Sequence, residues 1–237
     1  MTIVKMLLPA VVFASLTVAL AADAPRGDSK KKAPPTEREI KALIDQLASP
    51  NPKPIVNKMR APSIDLPPGF DRKKQYKVHL ARSKLAELGP PAFPFLIDSW
   101  KDDRYSLTTC NGLSGWYYNE SVGRVCQAII FDRLQPYSYW QAGGGDPRER
   151  ARRPSYPGHF IGSQGAAKAW WGKNKERSLH QMQLEALNWI IAEEAKHPGD
   201  FIDKEKQCLQ KLRKELVEGS EPLPPGNYNA SEISYRD

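Results

Sequence analysis

Arginines and aromatic residues that alternate over residues 137–171 are the strongest chemical signal in this chain. Arginine binds carboxylates and phosphates through paired hydrogen bonds, and aromatic faces stack on sugar rings and on guanidinium planes. The candidate binding residues in this stretch are Arg148, Arg150, Arg152, Arg153, Trp140, Tyr156, Trp170 and Trp171. Residues 146–177 contain eight basic and three acidic residues, a local net charge of +5, which favours anionic partners. The competing interpretation is a solvated loop followed by a helix that buries one of the two adjacent tryptophans.

Residues that could act in catalysis are few and scattered. Asp102 and Asp103 stand side by side before Arg104 and could hold a metal ion or form a catalytic pair, with Glu120 and His159 as further candidates. Acids between a helix and an arginine commonly join neighbouring helices through charge-assisted hydrogen bonds, and we favour that interpretation. None of the four histidines belongs to an H-E-x-x-H motif. We therefore expect no metal, no cofactor and no catalytic site, with an enzyme as the alternative.

The three cysteines, Cys110, Cys126 and Cys208, cannot form a complete disulfide framework because their number is odd. A disulfide between Cys110 and Cys126 is allowed in an oxidising compartment. The simpler interpretation is that Cys126 and Cys208 are small buried apolar residues, since each lies on an apolar helical face. The C-x-x-C spacing of a zinc site is not found in the sequence.

Helical periodicity predicts the elements that would position these residues. Three apolar faces recur at intervals of 41 residues: Ile40, Ile44 and Leu47; Ala81, Leu85 and Leu88; Val122, Cys126 and Ile129. Thr36 or a neighbour is expected to start the first of these helices, and Asn119 to cap the third. The prolines and the glycine of residues 55–72 predict an irregular loop there.

A corner at residues 89–91 separates two amphipathic helices within residues 78–105. Gly89 is suited to a left-handed helix stop, and Pro90 and Pro91 are suited to opening the next helix. The segment LAELGPPAFPFLIDSWKDDRY resembles a HEAT-type helical repeat over about one repeat of the chain. The 41-residue interval also lies within the ~40–47-residue period of such repeats. The resemblance implies a stack of helix pairs that binds partners along its surface and has no shared active site.

The remainder of the chain extends the helical prediction. Further helices are expected at residues 166–171, 178–196 and 204–218, and no alternating strand pattern is found. The predicted fold class is therefore all-α, an irregular HEAT-like stack of antiparallel helix pairs with long loops over residues 37–218. Residues 22–36 are too polar and too rich in proline and lysine to fold, and we expect a disordered linker there. Residues 219–237 are expected to be a disordered tail.

Residues 1–21 have the features of a signal peptide. Lys5 precedes an apolar run over residues 6–20, and small residues at Ala19 and Ala21 suit cleavage after Ala21, with cleavage after Ala24 as a second option. The apolar run is shorter than the ~20 residues of a membrane-spanning helix, and no later segment is apolar enough to span. We expect a periplasmic or secreted protein; anchoring by an uncleaved N-terminal segment is the alternative.

The functional prediction follows from export, charge and the helical pattern together. The chain has 35 Lys and Arg against 27 Asp and Glu, so an exported domain would attract anionic polymers rather than nucleic acid. We expect a non-catalytic module that binds a protein partner or an anionic envelope polymer as a scaffold. The alternative is a cell-envelope hydrolase, or an auxiliary enzyme subunit, that uses Asp102, Asp103, Glu120 and His159. The sequence does not indicate an oligomeric state.

Overall fold

Helices account for most of the residues that the computed structural model describes, which are 35–57, 63–111, 116–135, 155–196 and 200–225. The α-helices are α1 (Glu37–Asp45), α2 (Arg72–Leu88), α3 (Phe93–Asp98), α4 (Val122–Leu134), α5 (Tyr156–Phe160), α6 (Gln164–Asn174), α7 (Leu179–Glu194) and α8 (Asp200–Glu218). Short 3-10 helices at Pro90–Ala92 and Ser99–Lys101 flank α3. The predominantly helical part of the prediction is confirmed.

Two antiparallel hairpins interrupt the helices and correct the all-α prediction. Strand β1 (Ile55–Asn57) pairs with β2 (Ser63–Asp65), inside the stretch predicted as an irregular loop. Strand β3 (Tyr105–Asn111) pairs with β4 (Trp116–Ser121). These strands were missed because the first pair is only three residues long on each side. In β3, neighbouring residues on both faces are buried, which removes the alternating pattern that marks a half-buried strand.

The predicted start of the first helix is confirmed, whereas the predicted cap of α4 is wrong. The hydroxyl of Thr36 accepts from the amide of Glu39, and the Glu39 carboxylate accepts from the amide of Thr36, which completes a capping box. Ser121, not Asn119, caps α4 by accepting from the Arg124 amide. Asn119 lies in β4 and donates its side-chain amide to the carbonyl oxygen of Pro54 (2.9 Å), so it ties the second hairpin to the segment before the first.

The three predicted apolar faces lie in one hydrophobic core. Their members are buried, apart from the half-buried Leu88. Helix α2 packs against α1 and α4, α3 packs against α4 and α6, and α7 packs against α4 and α8. Gly89 ends α2 with a positive φ of 64°, as predicted, but its ψ of −135° lies outside the left-handed helical region. Burial of apolar surface between neighbouring helices therefore organises this part of the chain.

Arg104 joins the segment after α3 to α1, as the order of acids and arginine predicted. Its guanidinium donates to both carboxylate oxygens of Asp102, to Oδ2 at 2.6 Å and to Oδ1 at 3.0 Å, and to a carboxylate oxygen of Asp45 at 3.1 Å. The hydrogen bonds from Arg104 hold the pKa of Asp102 below its ordinary value. Asp102 is therefore an ionised structural partner of Arg104 near neutral pH, which makes it a poor proton donor.

Gln75 of α2 forms hydrogen bonds to the segment after α1 and to strand β3. Its side chain is fully buried; the oxygen accepts from the Ser49 hydroxyl (2.7 Å), and the nitrogen donates to the Ser106 carbonyl oxygen (2.8 Å). Asn51 accepts from the amide of Asp71 at 2.9 Å and donates to its carbonyl oxygen at 2.9 Å. These hydrogen bonds join the chain before β1, the start of α2 and strand β3.

Side chains from other helices also complete the C-terminal ends of three helices. The Gln183 amide nitrogen donates to the carbonyl oxygen of Arg133 at the end of α4 (2.7 Å). The Gln164 amide nitrogen donates to the carbonyl oxygen of Ile97 at the end of α3 (2.8 Å). His180 Nε2 lies 2.6 Å from the carbonyl oxygen of Leu216 near the end of α8, and because a carbonyl can only accept, that nitrogen donates. The last carbonyls of a helix lack partners within it, so these bonds fill a general need.

The chain beyond α8 continues along the core, which corrects the predicted boundary of the disordered tail. The amide of Leu223 donates to the side-chain oxygen of Gln183 (2.7 Å), and its carbonyl oxygen accepts from the Arg133 guanidinium (3.1 Å). Leu223 also packs against the core. The first residues of the predicted tail therefore belong to the folded domain, and residues 226–237 lie outside the described residues.

Gly123 lies where α4 closely approaches the backbone of residues 100–102. Its amide donates to the Asp102 carbonyl oxygen (2.9 Å), and a Cβ at this position would overlap the carbonyl of Trp100. We expect Gly123→Ala to lower the free energy of unfolding by about 3 kcal/mol in urea denaturation, since rigid backbone must move. In the matched control Gly172→Ala, on α6, an added Cβ would meet nothing within 4 Å. That change should raise stability by about 0.5–1 kcal/mol; equal effects of the two would refute the close contact.

Candidate binding cleft

An open cleft lies along the exposed side of α7 and the turn that precedes it. Its volume is about 640 Å³, and its lining residues are Arg177, Gln181, Leu184, Glu185, Asn188 and Trp189. Positions 181, 184, 185 and 188 recur at helical intervals, so they form one stripe of α7. The opposite stripe is buried in the core through Leu179, Met182, Ala186 and Ile190. Because one side of α7 is buried in the core, the side that lines the cleft faces outward.

Aromatic rings from α5 pack against Trp189, which lines the cleft. The Trp189 ring centroid lies 5.1 Å from that of His159, 5.5 Å from that of Phe160 and 5.9 Å from that of Tyr156. Ser155 caps α5 by accepting from the amide of Gly158, which fixes the start of this short helix. His159 therefore lies in a helix rather than in the predicted loop, exposed and in contact with Trp189.

A hydrogen-bonded chain connects the cleft to the core. Trp170 Nε1 donates to the Tyr156 hydroxyl (3.1 Å), which donates to a carboxylate oxygen of Glu185 (2.9 Å). Arg177 forms an ion pair with the other oxygen of the same carboxylate. Burial raises the pKa of the Tyr156 phenol, so it stays protonated and remains a donor near neutral pH. The orientation of Glu185, and through it that of Arg177, is therefore set from inside the protein.

The cleft offers donors that a ligand could reach. A guanidinium has five N–H groups, and the ion pair of Arg177 with Glu185 is made by Nη1, so Arg177 can bind a further acceptor at the same time. The side-chain oxygen of Asn188 accepts from Arg213 Nε of α8 at 2.6 Å, which fixes its orientation at the other end. Planar donors beside a partly exposed indole suit a ligand with carboxylate groups and flat or ring-shaped parts.

The described candidate binding residues lie mostly inside the protein. Tyr156 is 1% exposed and Trp170 is 7% exposed, so they support the cleft from the core side. Trp171 is half-buried, with its ring centroid 5.8 Å from that of Phe93. The interpretation that one tryptophan belongs to the core therefore holds for Trp170, and Tyr156 cannot act as an exposed contact.

The remaining candidate binding residues, Trp140, Arg148, Arg150, Arg152 and Arg153, lie outside the described residues. The described residues on either side of this segment are joined to each other. The amide of Tyr156 donates to the side-chain oxygen of Gln135 at 3.2 Å. Both neighbours of the arginine-rich segment therefore belong to the same buried region, next to Glu185 and the cleft.

Sequence reasoning missed the cleft itself. Arg177, Glu185 and Trp189 were not among the residues that the sequence singled out as a site. The available signal was the recurrence of the polar residues Gln181, Glu185 and Asn188 at helical intervals, next to Trp189. That pattern is common on helices, and its meaning depends on α5 lying beside α7.

The candidate catalytic residues contact different partners. Asp102 is bound by Arg104, Glu120 contacts Thr109 and Arg124, and His159 lies against Trp189. Asp103 is exposed. In the part of the chain that the structure describes, no three His, Cys, Asp or Glu residues lie close enough together to hold a metal ion. The alternative prediction of an enzyme therefore gains no support from shared contacts.

All three cysteines are free thiols, so the disulfide that was allowed between Cys110 and Cys126 is not present. Cys126 lies in the core, and burial raises the pKa of its thiol to about 12. A thiol with such a pKa is uncharged near neutral pH, and the thiolate is the reactive form. Cys126 is thus a small apolar residue of the core, as its helical face predicted.

No protein-family model, curated protein or solved structure matches this chain. The resemblance of residues 78–105 to a HEAT-type repeat therefore stays a prediction. Among the helices that the structure describes, none is both long and apolar enough to span a membrane.

Replacing Tyr156 tests the connection between core and cleft. Tyr156→Phe keeps the ring but leaves the buried Trp170 indole without its acceptor, and Glu185 loses its donor from the core while keeping Arg177. We expect the free energy of unfolding to fall by about 2 kcal/mol in urea denaturation. The matched control is Tyr76→Phe, since Tyr76 is 40% exposed, and it should change stability by less than about 0.5 kcal/mol. Similar values for both variants would contradict the hydrogen-bonded chain.

Proposed function

We propose that this protein is a non-catalytic binding module that recognises an acidic partner, either a protein segment or an anionic polymer, through the cleft on α7. The observation that carries the proposal is Arg177, held beside Trp189 by a carboxylate that is itself oriented from the core. A binding site needs groups whose positions are fixed before the ligand arrives, since ordering them on binding weakens the affinity. The Tyr156–Glu185–Arg177 chain provides that fixed position.

Charge near the cleft supports an acidic partner. The last turn of α6 and the segment before α7 carry Lys173, Lys175 and Arg177 against Glu176, and these four residues are exposed. Arg213 lies at the other end of the cleft through its bond to Asn188. The arginines at 148, 150, 152 and 153 would add positive charge from a segment whose described neighbours adjoin Glu185, although their own positions lie outside the described residues. Cations on one side of an open cleft attract and orient anionic ligands.

The proposal includes a HEAT-like arrangement and export. Successive contacts of α1 with α2, α2 with α4, α4 with α7 and α7 with α8 support a stack of helices that presents a binding surface. The apolar run over residues 6–20, with Ala19 and Ala21, supports a signal peptide and a periplasmic or secreted location. An exported scaffold of this kind would meet anionic envelope polymers and acidic proteins.

Binding to defined polymers tests this function. Polygalacturonate represents acidic polysaccharides, poly-glutamate represents acidic protein segments, and neutral dextran is the uncharged control. We expect calorimetric titration to show binding to one acidic polymer that weakens between roughly 50 and 200 mM salt. Arg177→Gln should weaken it by about 10-fold or more, since charge-assisted hydrogen bonds are lost. Arg177→Lys should lose less, because the charge remains while the paired donors go.

The matched control is Arg38→Gln, which removes an exposed arginine from α1 and should leave the affinity unchanged. Replacing Arg148, Arg150, Arg152 and Arg153 with Ala together should weaken binding while the unfolding temperature stays the same. Equal losses in Arg177→Gln and Arg38→Gln would show that only net charge matters and would refute a cleft-based function. Binding by neither acidic polymer would refute the proposed ligand class.

A further inference from the structure

The outer face of α2 is a second basic surface, separate from the cleft. The inner face of this helix is buried through Val78, Ala81 and Leu85. The exposed residues of the outer face are Arg72, Lys73, Lys74, Tyr76, Lys77, Leu80, Ser83, Lys84 and Glu87. They include five cations and one acid, whereas a solvated helix face usually mixes both signs evenly.

Lysines and two large apolar side chains share one stripe of this face. Lys73, Lys77, Leu80 and Lys84 follow one another at intervals of four, three and four residues, so they lie in line along the helix. Tyr76 stands one turn before Leu80 and is 40% exposed, and Leu80 is 41% exposed. The lysines thus border a short apolar ridge rather than being scattered over the surface.

The lysines of this stripe form no ion pair with the residues that the structure describes. Lys74 pairs with Asp71 at 3.7 Å, whereas Lys73, Lys77 and Lys84 form no ion pair with any residue that the structure describes. Three like charges on one side of a helix repel one another and do not stabilise it. Their clustering is therefore explained better by an external partner than by the stability of α2.

We propose that the outer face of α2 docks on the surface of an anionic lipid bilayer. The three lysines would lie at the level of the acidic headgroups, while the Tyr76 and Leu80 side chains enter the boundary between headgroups and acyl chains. Long lysine side chains can keep their charge at that level while the apolar ridge goes deeper. The positive charge and the apolar ridge are therefore both satisfied by an anionic bilayer.

The shape of α2 favours a bilayer over a soluble acidic chain. The helix has 17 residues and is about 26 Å long, and its exposed residues other than Lys74 span an arc of about 140°. The exposed arc of a single helix is convex, so it fits a flat surface better than it encloses an extended polymer. A soluble polyanion would also gain nothing from Tyr76 and Leu80, which a bilayer can bury.

Vesicle flotation with the full-length chain tests this proposal. Neutral phosphatidylcholine vesicles are compared with vesicles that also contain phosphatidylglycerol. The apolar run over residues 6–20 would attach to both kinds equally, so the readout is the ratio of anionic to neutral binding. We expect a ratio well above one for the unaltered protein, because each lysine at an acidic surface contributes roughly fivefold. Changing Lys73, Lys77 and Lys84 to Gln should therefore lower the ratio by about 100-fold.

The matched control changes three exposed lysines elsewhere, Lys101, Lys211 and Lys214, to Gln and so alters net charge equally. It should leave the ratio within about twofold. A double variant, Tyr76→Ser with Leu80→Ser, should bind anionic vesicles more weakly while keeping the salt dependence. A ratio near one for the unaltered protein, or equal losses in both lysine variants, would overturn the proposal.

Two further comparisons separate this surface from the cleft and from a soluble partner. Arg177→Gln should leave vesicle binding unchanged, so failure of the cleft and failure of the α2 surface are distinguishable. Poly-glutamate should not displace the protein from anionic vesicles through α2. If it does so for the unaltered protein and not for the Lys73, Lys77 and Lys84 variant, an acidic protein is the partner and the bilayer proposal is overturned.

Discussion

The constraint on which this fold depends is that the last carbonyl groups of a helix need partners from outside that helix. Gln183 supplies one to α4, Gln164 supplies one to α3, and His180 supplies one to α8. Each donor side chain belongs to a different helix from the carbonyl that it pairs. The helix ends are thereby tied to their neighbours, and apolar packing between the helices can proceed without leaving these three carbonyls unpaired.

The same helices that provide these donors also shape the two surfaces of the protein. Helix α7 uses its buried side for core contacts and for Gln183, which leaves the stripe with Glu185 and Trp189 facing outward. Helix α2 is held by Gln75 on its buried side and presents its lysines on the other. Ordinary core packing therefore accounts for both surfaces, and neither needs a specialised catalytic architecture.

The sequence predicted what is encoded locally. Thr36 starts α1 and Gly89 stops α2 through their own side chain or backbone, and the 41-residue recurrence of apolar faces identified buried stripes on three helices. Contacts between distant residues were out of reach, since a buried glutamine looks like a surface residue in sequence. The cleft escaped for the same reason, because Trp189 acquires its aromatic neighbours only when α5 lies beside α7. The strand β3 was missed because tertiary burial on both faces removed its periodicity.

Gln183→Leu tests most directly whether polar pairing, rather than apolar packing, holds these helix ends. The variant keeps a similar volume but leaves the Arg133 carbonyl and the Leu223 amide without the partner they share. Loss of these buried hydrogen bonds should lower the free energy of unfolding by about 3 kcal/mol in urea denaturation. The control Gln210→Leu, exposed on α8, should change it by less than about 0.5 kcal/mol. If Gln183→Leu instead matches or exceeds the stability of the unaltered protein, apolar burial dominates at this site and the account is contradicted.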